Sequence, residues 1–202
     1  MTGPALLNNR SPAGRKAFTV GSRPIHKLTH STRLLAPTEY LNRHDRAAQY
    51  IHWVIFKNLD LHHDENWWEH KPPPVLENDH IALLWNFTIQ TDRKIDANRP
   101  DIILKDFRQK SCLLIDMTVA IDINVSAKTY QKLSKYKDLE IEISKMWNLK
   151  TKTIPIVIGT LGMTAKRADY YLAQIPGNPK MAEVQKIVLM GTAHVLRKVL
   201  CM

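Results

Sequence analysis

Four short apolar runs set the limits on what this chain can fold into: IALLWNF at 81–87, DIILK at 101–105, LLIDMTVA at 113–120 and TIPIVI at 153–158. Each is rich in residues that suit a pleated, half-buried surface, and turn-forming or polar residues bound each one, which predicts strands. Between and around them, apolar residues recur every three or four positions, the period of a helix with one buried face. One such segment runs from about Arg43 to Asn58, with Asn42 as its expected cap and Ala47, Ile51, Val54 and Ile55 as its stripe. A second runs from about Ala127 to Trp147, striped by Leu133, Tyr136, Leu139, Ile143 and Met146. Within it LEIEI also alternates with period two, but the helical stripe continues on both sides, so helix is expected. A third starts at Asn178-Pro179, a cap followed by proline at the first helical position. It runs to about Leu200 with Val184, Ile187, Val188, Val195 and Val199 inward. FRQKS, between the second and third runs, is short and polar, as a hairpin connection should be. The order helix, strand, strand, strand, helix, strand, helix predicts an α/β fold, a mixed central sheet flanked by helices.

A chain of 202 residues suits one ordinary domain with tails and would cramp two. Residues 1–38 are rich in Ser, Thr, Pro, Gly, Arg and Lys without sustained period, and read as a basic, disordered tail; 39–202 read as a single domain. The stretch from Asp60 to Asn78 reads as irregular, because Pro72-Pro73-Pro74 cannot continue a helix or an inner strand. Lys and Arg number 29 against 19 Asp and Glu, and the resulting charge of +10 favours a polyanionic partner, nucleic acid ahead of an anionic membrane. Cys112 and Cys201 are too few for a multi-cysteine zinc site or a disulfide framework, so a reducing compartment is expected. No apolar run approaches the ~20 residues of a membrane span, and the first residues lack the apolar core of a secretory signal. The expectation is a soluble, intracellular protein with no membrane partner. Basic residues in the tail would suit nuclear entry, although no distinct import signal stands out.

Chemistry concentrates in Arg99-Pro100-Asp101 and Leu114-Ile115-Asp116-Met117-Thr118. Asp101 opens one strand and Asp116 lies inside the next, 116 − 101 = 15 positions on. If those strands are hairpin neighbours, both carboxylates reach one end of the sheet. Asp116 interrupts an apolar run, where an ionised carboxylate is costly unless a positive or hydrogen-bonding group meets it. Two converging carboxylates and a backbone carbonyl suit Mg²⁺ or Mn²⁺, which could activate water and stabilise charge on a phosphate in transfer. The plainer account has Asp101 capping a turn after Pro100 and Asp116 in a salt bridge to Arg or Lys.

This arrangement resembles the PD-(D/E)xK nucleases, whose core has the order helix, three strands, helix, strand. Pro100-Asp101 matches the PD, and Asp116-Met117-Thr118 occupies the (D/E)xK segment. The resemblance extends to the restriction-like endonuclease module that follows the reverse transcriptase of some non-LTR retrotransposons, and to related retroelement open reading frames. It is carried by LAPTEYLNRHDRAA, VLEN, TDRKIDANRPDIIL, LIDMTVA, KLSKYKDLEIEISKMWN and TIPIVIGTLG, in that order, and runs from about Leu35 into the final helix, most of the ordered chain. The chain departs from the motif at Thr118, where the superfamily has lysine. In the retrotransposon modules the lysine is displaced to the next helix in a K-x-x-x-Y pattern, which here is Lys132 to Tyr136. Residues four apart share a helical face, so both could lean over the sheet end; alternatively Lys128, Lys132, Lys135 and Lys137 are a solvated face with Tyr136 packed beneath.

The resemblance implies a metal-dependent DNA endonuclease that nicks a target site, with Asp101 and Asp116 on Mg²⁺ or Mn²⁺, Lys132 as the charged helper and Tyr136 in support. It implies DNA, or else RNA, as the partner, a homodimer as one way to cut both strands, and no small-molecule cofactor. A second expectation keeps the fold as an inactive nucleic-acid-binding remnant, and a third is a protein-interaction fragment. The Cys/His knuckle that precedes LAPTEY in related elements is absent or degenerate: His26 and His30 are present but no cysteine is nearby.

Other candidates have ordinary alternatives. His62, His63, Asp64 and His70 suggest a metal cluster but sit in an irregular stretch, so a solvated loop is expected. Trp67 and Trp68 could stack on unpaired bases or plug the core. Gly159-Thr160-Leu161-Gly162 lacks the Lys-Ser/Thr ending of a phosphate loop and reads as a turn. Glu142 and Lys145 read as an i, i+3 ion pair. His44 and Asp45 open the first helix, where some relatives of this fold carry a further acidic ligand.

Overall fold

A computed structural model describes residues 25–59 and 64–201, with side chains from residue 38 onward. The long helix α1 spans Ile25–Asn58. The expected start at Arg43 is therefore corrected, and Asn42 lies inside the helix, which extends back over part of the segment read as a tail. Residues 1–24 lie outside those described. The stripe that reveals a helix in sequence is apolar, whereas side chains just upstream of it on α1 meet their partners through polar contacts. Glu39 contacts His194 and Lys198, and Arg43 donates to Thr192. All three partners lie on the last helix, α5 (Met181–Leu200).

Five strands follow the order β1 (Val75–Glu77), β2 (Ile81–Trp85), β3 (Ile102–Asp106), β4 (Ser111–Ala120) and β5 (Lys150–Gly159) across one sheet. The first three pairings are antiparallel and the last is parallel, so the sheet is mixed. Phe107 to Lys110 make the tight turn between β3 and β4, as FRQKS predicts. The parallel partner requires a crossover. This is supplied by a 3-10 turn, Asp122–Asn124, and two helices, α2 (Val125–Lys135) and α3 (Lys137–Trp147).

Alternation along the inner strands feeds two cores. Ile102, Leu104, Ile115, Met117, Ile154 and Ile156 pack with Ala47, Ile51 and Ile55 of α1 and Val184 and Val188 of α5. Ile103, Cys112 and Leu114 face the other way, onto Tyr136, Leu139 and Ile143. Each such Leu or Ile, fully buried, contributes roughly 1.5–3 kcal/mol. With helices on both sides, β4 and the second half of β5 read as nearly unbroken apolar runs, and Asp116 is the one acid among the buried polar residues of these two strands.

Three sequence expectations are corrected. The single helix from Ala127 to Trp147 is two, divided at Tyr136 (φ −95°, ψ 3°), although Tyr136 N–H still reaches the Lys132 carbonyl and Glu140 N–H the Tyr136 carbonyl. The last helix begins at Met181, not at Pro179 after an Asn178 cap: Asn178 is left-handed at φ 52°, and the Lys180 N–H is taken by the Tyr50 hydroxyl at 3.1 Å. Gly177 (φ 84°) sets that turn close to α1, where a Cβ would lie 2.6 Å from the Val54 carbonyl oxygen. Finally β1 and a short helix α4 (Ala168–Leu172) were not foreseen, being too short to show a period.

Candidate active site

The register of β3 against β4 ends at Ile102↔Ile115. Continued by one position it sets Asp101 opposite Asp116, and opposed residues of an antiparallel pair project to the same face. Beyond Ile115, among the described residues, no strand pairs with β4 on its β3 side. Side chains take over the bonding there: Met117 N–H donates to Asp101 Oδ2 over 2.6 Å, and the Met117 carbonyl lies 3.0 Å from His44 Nε2 and 2.8 Å from the Thr118 hydroxyl. Asp101 thus occupies the place a longer β3 would fill.

Asp116 is buried at 3% exposure. Lys132 Nζ, reaching down from α2, lies 2.6 Å from its Oδ2, and the Tyr136 hydroxyl donates to its Oδ1 over 2.5 Å. The Arg99 carbonyl, 3.2 Å from the same hydroxyl, competes for one proton and loses to the shorter, charge-assisted bond. Oδ2 is held by the Lys132 ammonium as an ion pair, and among the described residues no other donor reaches it. Burial raises the Asp116 pKa above the ordinary carboxylate range, the Asp101 charge adds to that, and Lys132 and Tyr136 oppose it. Burial and the neighbouring Asp116 push the Tyr136 hydroxyl upward, so it stays a donor.

His44 joins Asp101 from α1. Its Nδ1 is 2.9 Å from Asp45 Oδ1, and its Nε2 is 3.3 Å from Asp101 Oδ2. Burial disfavours the charged ring, but hydrogen bonding and charge from Asp101, then Asp45 and the Met117 carbonyl, raise its pKa to about 9. With acceptors at both nitrogens it is an imidazolium at neutral pH. Two carboxylates are thereby met by two cations, Lys132 and His44. Both cations line an open cleft of about 940 Å³ with Thr118, Tyr40 and Arg43, while neither Asp101 nor Asp116 forms its wall.

All four residues singled out in sequence, Asp101, Asp116, Lys132 and Tyr136, therefore meet at one place. His44 was weighed only as a neighbour of a ligand position; its contacts run through 57 and 73 positions of chain to Asp101 and Met117, and no local pattern announces them. As donors, two converging carboxylates would suit a hard divalent cation in the place that Lys132 now takes on Asp116 Oδ2. Among the described residues no three His, Cys, Asp or Glu side chains are grouped to share a metal, so water would complete the sphere, as is usual for Mg²⁺.

The remaining candidates fall into structural places. His62 and His63 lie outside the described residues. His70 is not solvated, correcting that expectation: it is buried, its Nε2 is 2.8 Å from His52 Nδ1, and it lies 3.6 Å from Asp64. Trp67 packs against the core while Trp68 is exposed. Gly159 to Gly162 form a turn held by the Asp122 carboxylate, which accepts from the Thr160 hydroxyl and from the Leu161 and Met163 N–H groups. Glu142 pairs with Lys145 at 3.7 Å and with Arg93 at 3.0 Å.

No family model matches the chain, and no curated protein matches it. Among the described residues no helix is long and apolar enough to cross a membrane.

Proposed function

We propose that this chain is a metal-dependent endonuclease domain of restriction-endonuclease-like topology, of retrotransposon origin, that hydrolyses a phosphodiester bond in DNA. The observation that carries the reading is the convergence of Asp101 and Asp116 from opposed strand positions with Lys132 2.6 Å from Asp116. Asp101 and Asp116 would hold Mg²⁺ or Mn²⁺, and the bound ion would supply an activated water and charge neutralisation at the phosphate. Tyr136 keeps the Asp116 carboxylate oriented by its donated hydrogen bond, and Asp101 is fixed by the Met117 N–H. Lys132, facing the cleft, is placed to meet a phosphate oxygen once a cation takes over its partner on Asp116. Thr118, at the family's lysine position, carries no charge and leaves that task to Lys132.

A second reading has its own observation. Both carboxylates already have cationic partners, and it is the cations that face the cleft. That suits an inactive remnant that grips DNA or RNA.

Plasmid nicking with and without Mg²⁺ or Mn²⁺, on wild type and Asp116→Ala, separates the two. Metal-dependent nicking lost in the variant supports the nuclease. Salt-sensitive DNA retention without nicking, equal in both proteins, supports the remnant. Neither binding nor nicking would sink both.

A further inference from the structure

Beside the candidate active site, α1 and α5 enclose a second cleft of about 500 Å³ whose charged lining includes Glu39, Arg43, Asp45, Arg46 and Lys198. Its two acids are already engaged. Glu39 contacts Lys198 and His194, and Asp45 contacts His44 Nδ1. Among the described residues no carboxylate pairs with Arg43 or Arg46.

Arg43 is the sharper case. It is 7% exposed. Its Nη1 donates to Thr192 Oγ1 over 2.8 Å, while its Nε is buried with no hydrogen-bond partner. The Tyr40 ring lies 5.3 Å from its Cζ, but among the described residues no counter-charge meets the guanidinium, which an anion would complete. The neighbouring helix is shaped around this side chain. Gly191 sits inside α5, where glycine weakens a helix, and a Cβ there would meet Arg43 Cγ at 2.6 Å. Arg43 also lines the larger cleft that holds Lys132, Thr118 and His44, so this one residue borders both clefts.

We propose that Arg43, seated by Gly191, is a phosphate subsite that receives one backbone phosphate of a nucleic-acid strand lying across the candidate active site. This rests on the nucleic-acid reading above. A guanidinium matches a phosphate's oxygens in geometry as well as in charge. The surplus of basic residues across the chain makes a polyanion the appropriate source of that phosphate.

The test is the salt dependence of binding to a short fluorescent DNA duplex by wild type, Arg43→Gln and Gly191→Ala, with thermal unfolding of each to establish folding. One lost phosphate contact lowers the slope of log K against log salt by about 0.9 for duplex DNA. Arg43→Gln is expected to show that drop, with roughly tenfold weaker binding at low salt. Gly191→Ala keeps the arginine and favours the helix, yet displaces the Arg43 stem, and is expected to reproduce the loss. Wild-type slope in both folded variants, with wild-type DNA binding intact, overturns the subsite alone. Failure of wild type to bind DNA at all overturns the subsite together with the nucleic-acid reading. Stabilisation of wild type but not Arg43→Gln by inorganic phosphate, with DNA slopes unchanged, also overturns it, because the site would then serve a free anion.

Discussion

The Tyr136 hydroxyl donates to Asp116 Oδ1 over 2.5 Å, joining the break between two helices to the middle of a buried strand. Tyr136 is 1% exposed and packs with Leu139 and Ile143. Its ring is therefore core while its hydroxyl belongs to the site. The division between α2 and α3 falls at this residue, with Lys132 one turn earlier reaching the other carboxylate oxygen.

Tyr136→Phe keeps the ring and removes the donor. A buried carboxylate that loses such a bond costs about 1–3 kcal/mol. Because that bond holds the Asp116 pKa down, the variant carboxyl should titrate at higher pH than in wild type. Urea unfolding reads the first effect; carboxyl ¹³C NMR titration reads the second. A variant as stable as wild type, with an unmoved titration, would contradict this geometry.

His44 should make stability fall on the alkaline side. Its pKa is raised from 6.5 to about 9 on folding, so the native state binds the proton more tightly than the unfolded chain. The stabilisation is fully present below pH 6.5 and is lost as pH rises through 9, with an upper size of roughly 3 kcal/mol. Unfolding free energies measured from pH 6 to 10 should decline in wild type and be flatter in His44→Gln. Parallel curves would refute the assignment of an imidazolium there.

His52 should act in the opposite direction. It is fully buried, and burial first, then the neighbouring His70, depress its pKa to about 3. The neutral ring stabilises the fold above pH 6.5, and that contribution is lost as pH falls toward 3. The slope is about 1.4 kcal/mol per pH unit below 6.5. His52→Phe removes this proton uptake, so its acid limb should be shallower than that of wild type between pH 6 and 4. The ring already stacks on Phe56 at 5.8 Å between centroids, which favours acceptance of the larger aromatic.

Gly159→Ala should loosen the turn that follows β5. The new Cβ would meet Asp122 Oδ1 at 2.1 Å and displace the carboxylate from Thr160, Leu161 and Met163. Asp122→Ala removes the same bonds from the other side. Each change should lower Tm by several degrees, and the double variant by clearly less than their sum, because both delete one shared interaction. Additive Tm losses would mean that the two residues act independently.

Much of the fold was legible in the residues. The four apolar runs became β2 to β5, and the FRQKS turn set β3 beside β4. Helical spacing located the apolar stripe of α1, as well as α3 and α5. Asp116 announced itself by interrupting LLIDMTVA, and Asp101 by opening the run before it. What escaped was short or polar. β1 is three residues long and α4 five, too short to show a period. Upstream of Arg43 the sequence shows no sustained period to announce the earlier start of α1, and the division at Tyr136 hides within a stripe that continues on both sides of it.

Periodicity along one chain records which side chains avoid water, since that selection acts at every position of an element. It determined the number of layers, the strands that had to be interior and the acids whose burial demanded partners. It does not record who those partners are. That His44 would bracket Asp101 and the Met117 carbonyl, and that Gly191 would make room for Arg43, depends on where α1 crosses the sheet and α5. Those crossings are fixed by packing among the buried residues of both helices and the sheet, and only the folded chain brings them together.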